Sequence, residues 1–171
     1  MYKIVSMVNK TQIKFDADLF ELSQILPNSV YEPEQFPALF YRTFNPRITF
    51  AIFSTGKIMI YGGTKYSIIK KRFIELKTII NNNNINILQF KNPEICMLVA
   101  KIDVKIEIDF EEVLLRIKNI IYEPEQFPGI IWRYSEKIVV LLFQSGKIIV
   151  TGAKNRKQLK EITNNIFNII K

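Results

Sequence analysis

The chain has 171 residues, 48% of them apolar, and can therefore bury one substantial core or two small ones that share a sheet. Its 24 Lys and Arg against 16 Asp and Glu give a net charge of +8, which favours a polyanionic partner such as nucleic acid. No apolar run is long enough to cross a membrane and no signal peptide is visible, so a soluble intracellular protein is expected. Without histidine and with one cysteine, the usual zinc sites, histidine-dependent catalysis and internal disulfides are excluded, so we expect neither an enzyme nor a cofactor.

The first half of the chain alternates strand-like and helix-like patterns. In chain order these predict a β-rich segment at 4–8 and an amphipathic helix at 16–26. Three short strands follow at roughly 37–44, 47–53 and 57–62, and then a basic helix at 66–80. Gly56 supplies a tight turn before the last strand. The asparagine run at 81–84 is typical of a loose connector.

The second half of the chain predicts the same elements in the same order. They are a β-rich segment at 95–108 and a short helix at 109–118. Three strands follow at 128–134, 137–143 and 147–151, and then a basic helix at 155–170. Gly146 supplies the turn that corresponds to Gly56.

The two halves also share sequence motifs. The heptapeptide YEPEQFP occurs at 31–37 and again at 122–128, an offset of 91 residues, whereas Gly56 and Gly146 are offset by 90. The single deletion falls in a predicted hairpin turn, where insertions and deletions are tolerated. This predicts two repeats, 1–84 and 85–171, that form one structural unit. Because each repeat alone leaves a sheet edge open, we expect the two to pair edge to edge in a curved antiparallel sheet.

The segments YEPEQFPGIIWR and LLFQSGKIIVTGAK, with their first-half copies, resemble the TATA-binding protein family over nearly the whole chain. The resemblance implies an α+β saddle in which two pseudo-symmetric repeats form one curved antiparallel β-sheet, with helices on the convex face. It also implies a general transcription initiation factor that binds and bends A·T-rich promoter DNA through the minor groove. Such a factor recruits a transcription factor IIB-like protein and RNA polymerase.

Four phenylalanines bend the DNA in that family, and the positions that match are Phe36, Phe53, Phe127 and Phe143. A rigid aromatic wedge makes up part of the base stacking that it disrupts, and unstacking costs a few kcal/mol per step in minor-groove binders of this kind. A single strand phenylalanine is more often an ordinary core residue. The duplicated placement of all four favours the functional interpretation.

The resemblance, together with the two-residue period of a strand, predicts the floor that faces the groove. It consists of Lys3, Val5, Phe40, Ala51, Met59, Tyr61, Met97, Val99, Ile131, Leu141, Ile149 and Thr151, and Lys101 has the same parity. The family's base-reading asparagines fall on Lys3 and Met97, and a family threonine falls on Tyr61. These departures predict a base preference that is relaxed or displaced from a standard TATA box.

Charged positions match the family's phosphate-contacting and partner-binding residues. Those that match phosphate contacts are Arg42, Lys57, Lys65, Arg133, Lys147 and Lys154. Glu123, Glu125 and Gln126 match the loop on which transcription factor IIB docks, and Glu32 and Glu34 occupy the first-half loop, the family's transcription factor IIA side. The basic helix at 70–72 resembles a surface that the family offers to associated regulators. The alternatives are solubilising acidic turns and a solvated basic helix face.

Two other functions compete with DNA binding. One is a TATA-binding-protein-like interaction protein that has lost DNA specificity and binds a protein segment. The other is a catalytic version of the fold, for which the sequence offers no active site. Neither a membrane nor a small-molecule substrate is expected. Localisation is expected to be nuclear if the source is a eukaryote and cytoplasmic if it is archaeal or viral.

Overall fold

A computed structural model describes residues 1–170. The first half contains β1 (Tyr2–Phe15), α1 (Leu19–Ile25), β2 (Ser29–Val30), β3 (Ala38–Thr43), β4 (Ile48–Phe53), β5 (Lys57–Gly62) and α2 (Tyr66–Asn82). The second contains β6 (Ile87–Phe90), β7 (Glu94–Asp103), α3 (Phe110–Arg116), β8 (Ile120–Ile121), β9 (Ile130–Arg133), β10 (Val139–Leu142), β11 (Lys147–Ala153) and α4 (Arg156–Ile169). The predicted order of strands and helices is confirmed, and the sequence reading missed β2, β6 and β8.

Local chemistry sets several of the element boundaries. Helix α1 begins after Asp18, whose carboxylate accepts a hydrogen bond from the Glu21 N–H while the Glu21 side chain accepts one from the Asp18 N–H. Helix α3 begins after Asp109, whose carboxylate accepts hydrogen bonds from the N–H groups of Glu111 and Glu112. Strand β7 ends at Asp103, short of the predicted 108, because Lys105 has a φ of +56° and leaves the extended conformation.

The chain divides into two compact units. The N-terminal unit is Ser6–Cys96, and the C-terminal unit consists of Met1–Val5 together with the chain from Met97 onward. This division differs from the repeat boundary at 84/85 because the linker strand β6 pairs antiparallel with the end of β1, with Ile13 opposite Phe90. The linker therefore packs with the unit that precedes it.

In the N-terminal unit the strands follow the antiparallel order β2-β3-β4-β5-β1, and α1 and α2 cover one face of them. Alternate strand residues point toward these helices and are fully buried, including Leu39, Phe50, Ile52, Ile58 and Ile60. They pack with helix residues such as Leu22, Ile69, Phe73, Leu76 and Ile80. Each such aliphatic side chain contributes about 1.5–3 kcal/mol when fully buried, so this core holds the other face of the sheet in place.

In the C-terminal unit the strands follow the order β7-β11-β10-β9-β8. Buried alternate residues again mark the helix-facing side, among them Ala100, Ile130, Val140, Leu142, Ile148 and Val150. Helix α4 buries Leu159, Ile162 and Ile166, and α3 buries Val113. Each unit therefore has one face covered by helices and one face without them, which we call its open face. Among residues 1–170, no helix is long and apolar enough to span a membrane.

Candidate nucleic-acid interface

Cross-strand register defines the open face of the N-terminal unit, because residues directly opposite each other in a sheet share a face. One row contains Phe40, Ala51, Met59 and Lys10, and the next contains Arg42, Thr49, Tyr61 and Val8. Gln12 lies opposite Lys57 at the end of β5. The predicted floor residues Phe40, Ala51, Met59 and Tyr61 therefore lie together on this face.

The C-terminal unit has the same two rows on its open face. Ile131, Leu141, Ile149 and Lys101 form one, and Arg133, Val139, Thr151 and Val99 form the other. Lys147 lies opposite Asp103, in the register of Lys57 and Gln12. The structure thus brings together all the floor residues predicted for β9, β10 and β11, with Val99 and Lys101 on the neighbouring strand.

The four predicted wedges form two aromatic pairs. The ring centroids of Phe36 and Phe53 are 6.1 Å apart with an interplanar angle of 58°, and those of Phe127 and Phe143 are 5.6 Å apart with 59°. Phe36 also lies 5.3 Å from Phe40, on the open face. Phe36 is 45% exposed, although apolar side chains of this size are usually buried. Each unit therefore presents two adjacent, tilted rings next to its apolar rows.

Tight turns hold one ring of each pair. The Gly56 N–H donates to the Phe53 carbonyl over 2.8 Å, and the Gly146 N–H donates to the Phe143 carbonyl over 2.9 Å. Both glycines have a φ of +80°, and a Cβ on Gly56 would lie 2.1 Å from the Ile13 carbonyl oxygen. Only glycine fits such a position without strain. This explains why both repeats carry a glycine three residues after the phenylalanine.

The pairing of β1 with β5 assigns two of the predicted floor positions to other residues of β1. Val8 lies opposite Tyr61 as Val99 lies opposite Thr151, so Val8 is the N-terminal counterpart of Val99. Two residues earlier on each strand, Ser6 is the counterpart of Met97. The sequence had aligned Lys3 with Met97 and Val5 with Val99, three residues too early. Lys3 and Val5 are exposed and Ile4 between them is buried, whereas from Met7 onward the odd-numbered residues of β1 are buried. The alternation of β1 therefore changes between Ile4 and Met7, so counting by twos along the whole strand does not identify its open-face residues.

The structure also adds residues that the sequence reading missed. Val8, Lys10, Gln12 and Val139 all lie on the open faces by register. Strand parity is the signal that finds them, but it works only once the pairing of β1 with β5 is known.

The predicted phosphate-contacting residues are all exposed to solvent. Arg42 and Arg133 end the second row of each open face, and Lys57 and Lys147 begin β5 and β11. The Lys57 ammonium lies 6.0 Å from the Phe53 ring centroid, so one positive charge lies beside a predicted wedge. Lys65 is the N-cap residue of α2, and Lys154 directly precedes the N-cap residue of α4, Asn155.

The two acidic loops have the same conformation as well as the same sequence. In the first, the N–H groups of Gln35 and Phe36 both donate to the Glu32 carbonyl over 3.0 Å. In the second, those of Gln126 and Phe127 donate to the Glu123 carbonyl over 2.9 Å. The side chains of Glu32, Glu34, Glu123, Glu125 and Gln126 are exposed. Each loop therefore presents its glutamates to solvent directly before a predicted wedge.

The sequence profile of one family, described as transcription factor TFIID or TATA-binding protein, matches residues 1–83 and 92–171. The chain belongs to this family. The TATA-box-binding protein of Methanocaldococcus jannaschii is 39% identical over 176 residues, covering 99% of this chain and 93% of that protein. That of Pyrobaculum calidifontis is 34% identical over 171 residues, covering 99% of this chain and 86% of that protein.

The solved structure of Methanococcus jannaschii TBP matches with a TM-score of 0.89 and 33% sequence identity, covering 99% of this chain and 97% of that one. The predicted TATA-binding protein fold class is therefore confirmed. Members of the family are transcription factors and not enzymes, so the family membership assigns a general transcription factor role and confirms the expectation of a non-enzymatic protein.

Proposed function

We propose that the chain binds A·T-rich promoter DNA through the minor groove and bends it with Phe36, Phe53, Phe127 and Phe143. The observation that carries the proposal is the pair of adjacent, partly exposed rings at the same place in each unit. Apolar wedges inserted between base steps kink DNA and let it contact more protein surface. The TATA-box-binding relatives, which align over nearly the whole chain, support the same conclusion.

The apolar rows of the open faces support a preference for A·T pairs. In the minor groove, A·T pairs present only acceptors, whereas G·C pairs add a protruding amino group. Side chains such as Leu141, Ile149 and Ile131 offer that amino group neither an acceptor nor space. The floor therefore selects by exclusion, and the arginines and lysines around it supply affinity without reading sequence.

The base preference is expected to be looser than in a protein with asparagines at the family's base-reading positions. Met97 places a thioether there, and the Thr151 hydroxyl donates to its sulfur over 3.5 Å. The N-terminal counterpart, Ser6, is shorter than the family's asparagine. Tyr61 replaces the threonine of the other unit and is 42% exposed. We therefore propose that shape and exclusion dominate over hydrogen bonding in the readout.

The acidic loops are the proposed docking sites for other general transcription factors. Glu123, Glu125 and Gln126 would bind a transcription factor IIB-like protein, which brings in RNA polymerase. Glu32 and Glu34, in an identical loop, would offer the same chemistry to a transcription factor IIA-like protein. The exposed basic side chains of α2, Lys70 and Lys71, are available to associated regulators. Exposed carboxylates on a fixed turn provide a rigid, charged recognition surface.

Gel shift and FRET bending on A·T-rich and G·C-rich duplexes test the proposal. The wild type is compared with the double variant Phe127→Ala and Phe143→Ala, and with Phe20→Ala as a control, because Phe20 is 63% exposed on α1 and away from the open face. We expect the wild type and the control to bend A·T-rich DNA and the double variant to lose bending. A wild type without bending or A·T preference would support the alternative, an interaction protein that binds a protein segment.

A further inference from the structure

A cleft of about 240 Å³ opens beside β1 in the N-terminal unit and is surrounded by lysines. Lys10, Lys57 and Lys91 line it together with Gln12, Asn92 and Glu94. Lys10 and Gln12 lie on the open face by register, and Lys57 lies opposite Gln12. The cleft therefore adjoins the surface that we propose to contact DNA.

The cleft carries a surplus of positive charge. Three lysines and a single carboxylate residue, Glu94, line it, and the Glu94 carboxylate lies 4.0 Å from the Lys10 ammonium. Both side chains of that pair are more than half exposed, at 57% and 72%, so water screens their attraction. The single carboxylate leaves an excess of two positive charges for an anion.

The backbone around the third lysine is anchored to β1. The Lys91 N–H donates to the Gln12 carbonyl over 2.8 Å, and the Thr11 hydroxyl donates to the Lys91 carbonyl. Strand β6 pairs with β1 just before this point. The backbone of Lys91 is therefore fixed before an anion binds, which reduces the conformational entropy lost on binding.

The C-terminal unit does not reproduce this charge pattern. Lys101 occupies the register of Lys10, and Lys147 that of Lys57, but Asp103 stands where the N-terminal unit has Gln12. A carboxylate directly opposite Lys147 offsets part of its charge. The cleft is thus a feature of the N-terminal unit that the duplicated sequence alone does not predict.

We propose that Lys10 and Lys91, acting with Lys57, bind the phosphodiester backbone of duplex DNA and add phosphate contacts to those expected from the family positions. This inference rests on the proposed function and extends it to a named anion site. Two more phosphate contacts make the DNA affinity fall more steeply with salt concentration, because each neutralised phosphate contributes about 0.9 to the slope of log K against log salt concentration.

Fluorescence anisotropy with an A·T-rich duplex from 50 to 200 mM salt tests the site. The double variant Lys10→Gln and Lys91→Gln is expected to lower the slope by about 1.8. The fold-loss of affinity between the two salt concentrations is then about ten times smaller for the variant than for the wild type. The matched control is Lys157→Gln with Lys160→Gln, which removes the same charge from exposed positions on α4. Its slope is expected to equal that of the wild type. Glu94→Gln is expected to raise affinity by removing the competing carboxylate.

The outcomes separate this inference from the function on which it rests. If the wild type binds and bends DNA but the Lys10 and Lys91 variant has the same salt slope, the lysine contacts alone are overturned. Equal losses of slope in the variant and in the α4 control would also overturn them, because net charge would then explain the effect. A wild type without any DNA binding would overturn both proposals. Circular dichroism melting shows whether each variant is folded.

Discussion

Val8 and Tyr61 lie directly opposite each other across β1 and β5, on the open face of the N-terminal unit. The corresponding pair in the C-terminal unit is Val99 and Thr151. A large phenol ring therefore stands at a position where the other unit has a small hydroxyl. If DNA lies on both faces, the two units contact it with different shapes at this point.

Replacing the tyrosine tests that difference. Tyr61→Thr is expected to raise affinity for an A·T-rich duplex several-fold, because the smaller side chain allows the groove to approach the floor more closely. The reverse change in the other unit, Thr151→Tyr, is expected to lower affinity by a similar factor. Anisotropy titrations at one fixed salt concentration measure both. Unchanged affinity in both variants would show that this position does not contact DNA.

Charge reversal in the acidic loops separates partner binding from DNA binding. Glu123→Lys with Glu125→Lys is expected to weaken recruitment of a transcription factor IIB-like protein at least tenfold, since it replaces attraction by repulsion. DNA affinity is expected to hold or rise. The matched control is Glu32→Lys with Glu34→Lys in the identical first loop. A supershift assay measures both properties, and loss of both in the second-loop variant would assign that loop a structural role.

Asn9 is a fully buried polar residue whose side-chain nitrogen and oxygen have no hydrogen-bond partner among the residues that the structure describes. It lies opposite Ile60 on the helix-facing side of the sheet. Leaving such groups unpaired costs about 1–3 kcal/mol. Asn9→Leu, whose side chain has the same heavy-atom branching without polar atoms, is therefore expected to stabilise the protein by about 1–2 kcal/mol in urea unfolding. A loss of stability would mean that the amide binds a buried water molecule.

Asp16 links the end of β1 to the segment before β6. Its carboxylate accepts hydrogen bonds from the Asn86 side chain and backbone N–H, both over 2.7 Å. The Asn86 side-chain hydrogen bond is the main cause that lowers the pKa of Asp16 below its ordinary value of 3.8. Because the folded pKa is the lower one, this stabilisation is present above about pH 3.8 and is lost as pH falls through the folded value.

Unfolding in urea across the acid range tests this link. Asp16→Asn and Asn86→Ala are both expected to be less stable than the wild type at neutral pH and to approach it at the acid end. Asn86→Ala retains the carboxylate and so shows whether the hydrogen bond, rather than the charge, is responsible. A constant difference between variant and wild type at every pH would contradict the assignment.

Many features of the fold and the candidate site are visible in the chain itself. The repeated YEPEQFP and the glycines at 56 and 146 locate the four phenylalanines, because turns with a positive φ require glycine and tolerate few alternatives. The residues of β3, β4, β5, β9, β10 and β11 could be assigned to faces from alternation, since these short strands are bounded by identifiable turns.

Strand β1 shows where such reasoning stops. A 14-residue strand with few turn signals can be aligned with its repeat in several registers, and the choice of Lys3 instead of Ser6 was a shift of three. In a strand whose alternation is unbroken, an odd shift moves every side chain to the opposite face. The buried residues of β1 change from even to odd positions between Ile4 and Met7, so alternation alone does not fix its alignment. Only hydrogen bonding to β5 decides the register.

The sequence by itself therefore determined the duplication, the family resemblance, the positions of the four paired phenylalanines and the basic character of this protein. The tertiary structure alone decided on which face of the sheet each β1 side chain lies and that Lys10, Lys57 and Lys91 line one cleft. The physical reason is that turn chemistry and periodicity act over a few neighbouring residues. The lysine cluster, by contrast, depends on β6 pairing with β1, a contact between segments more than 70 residues apart in the chain.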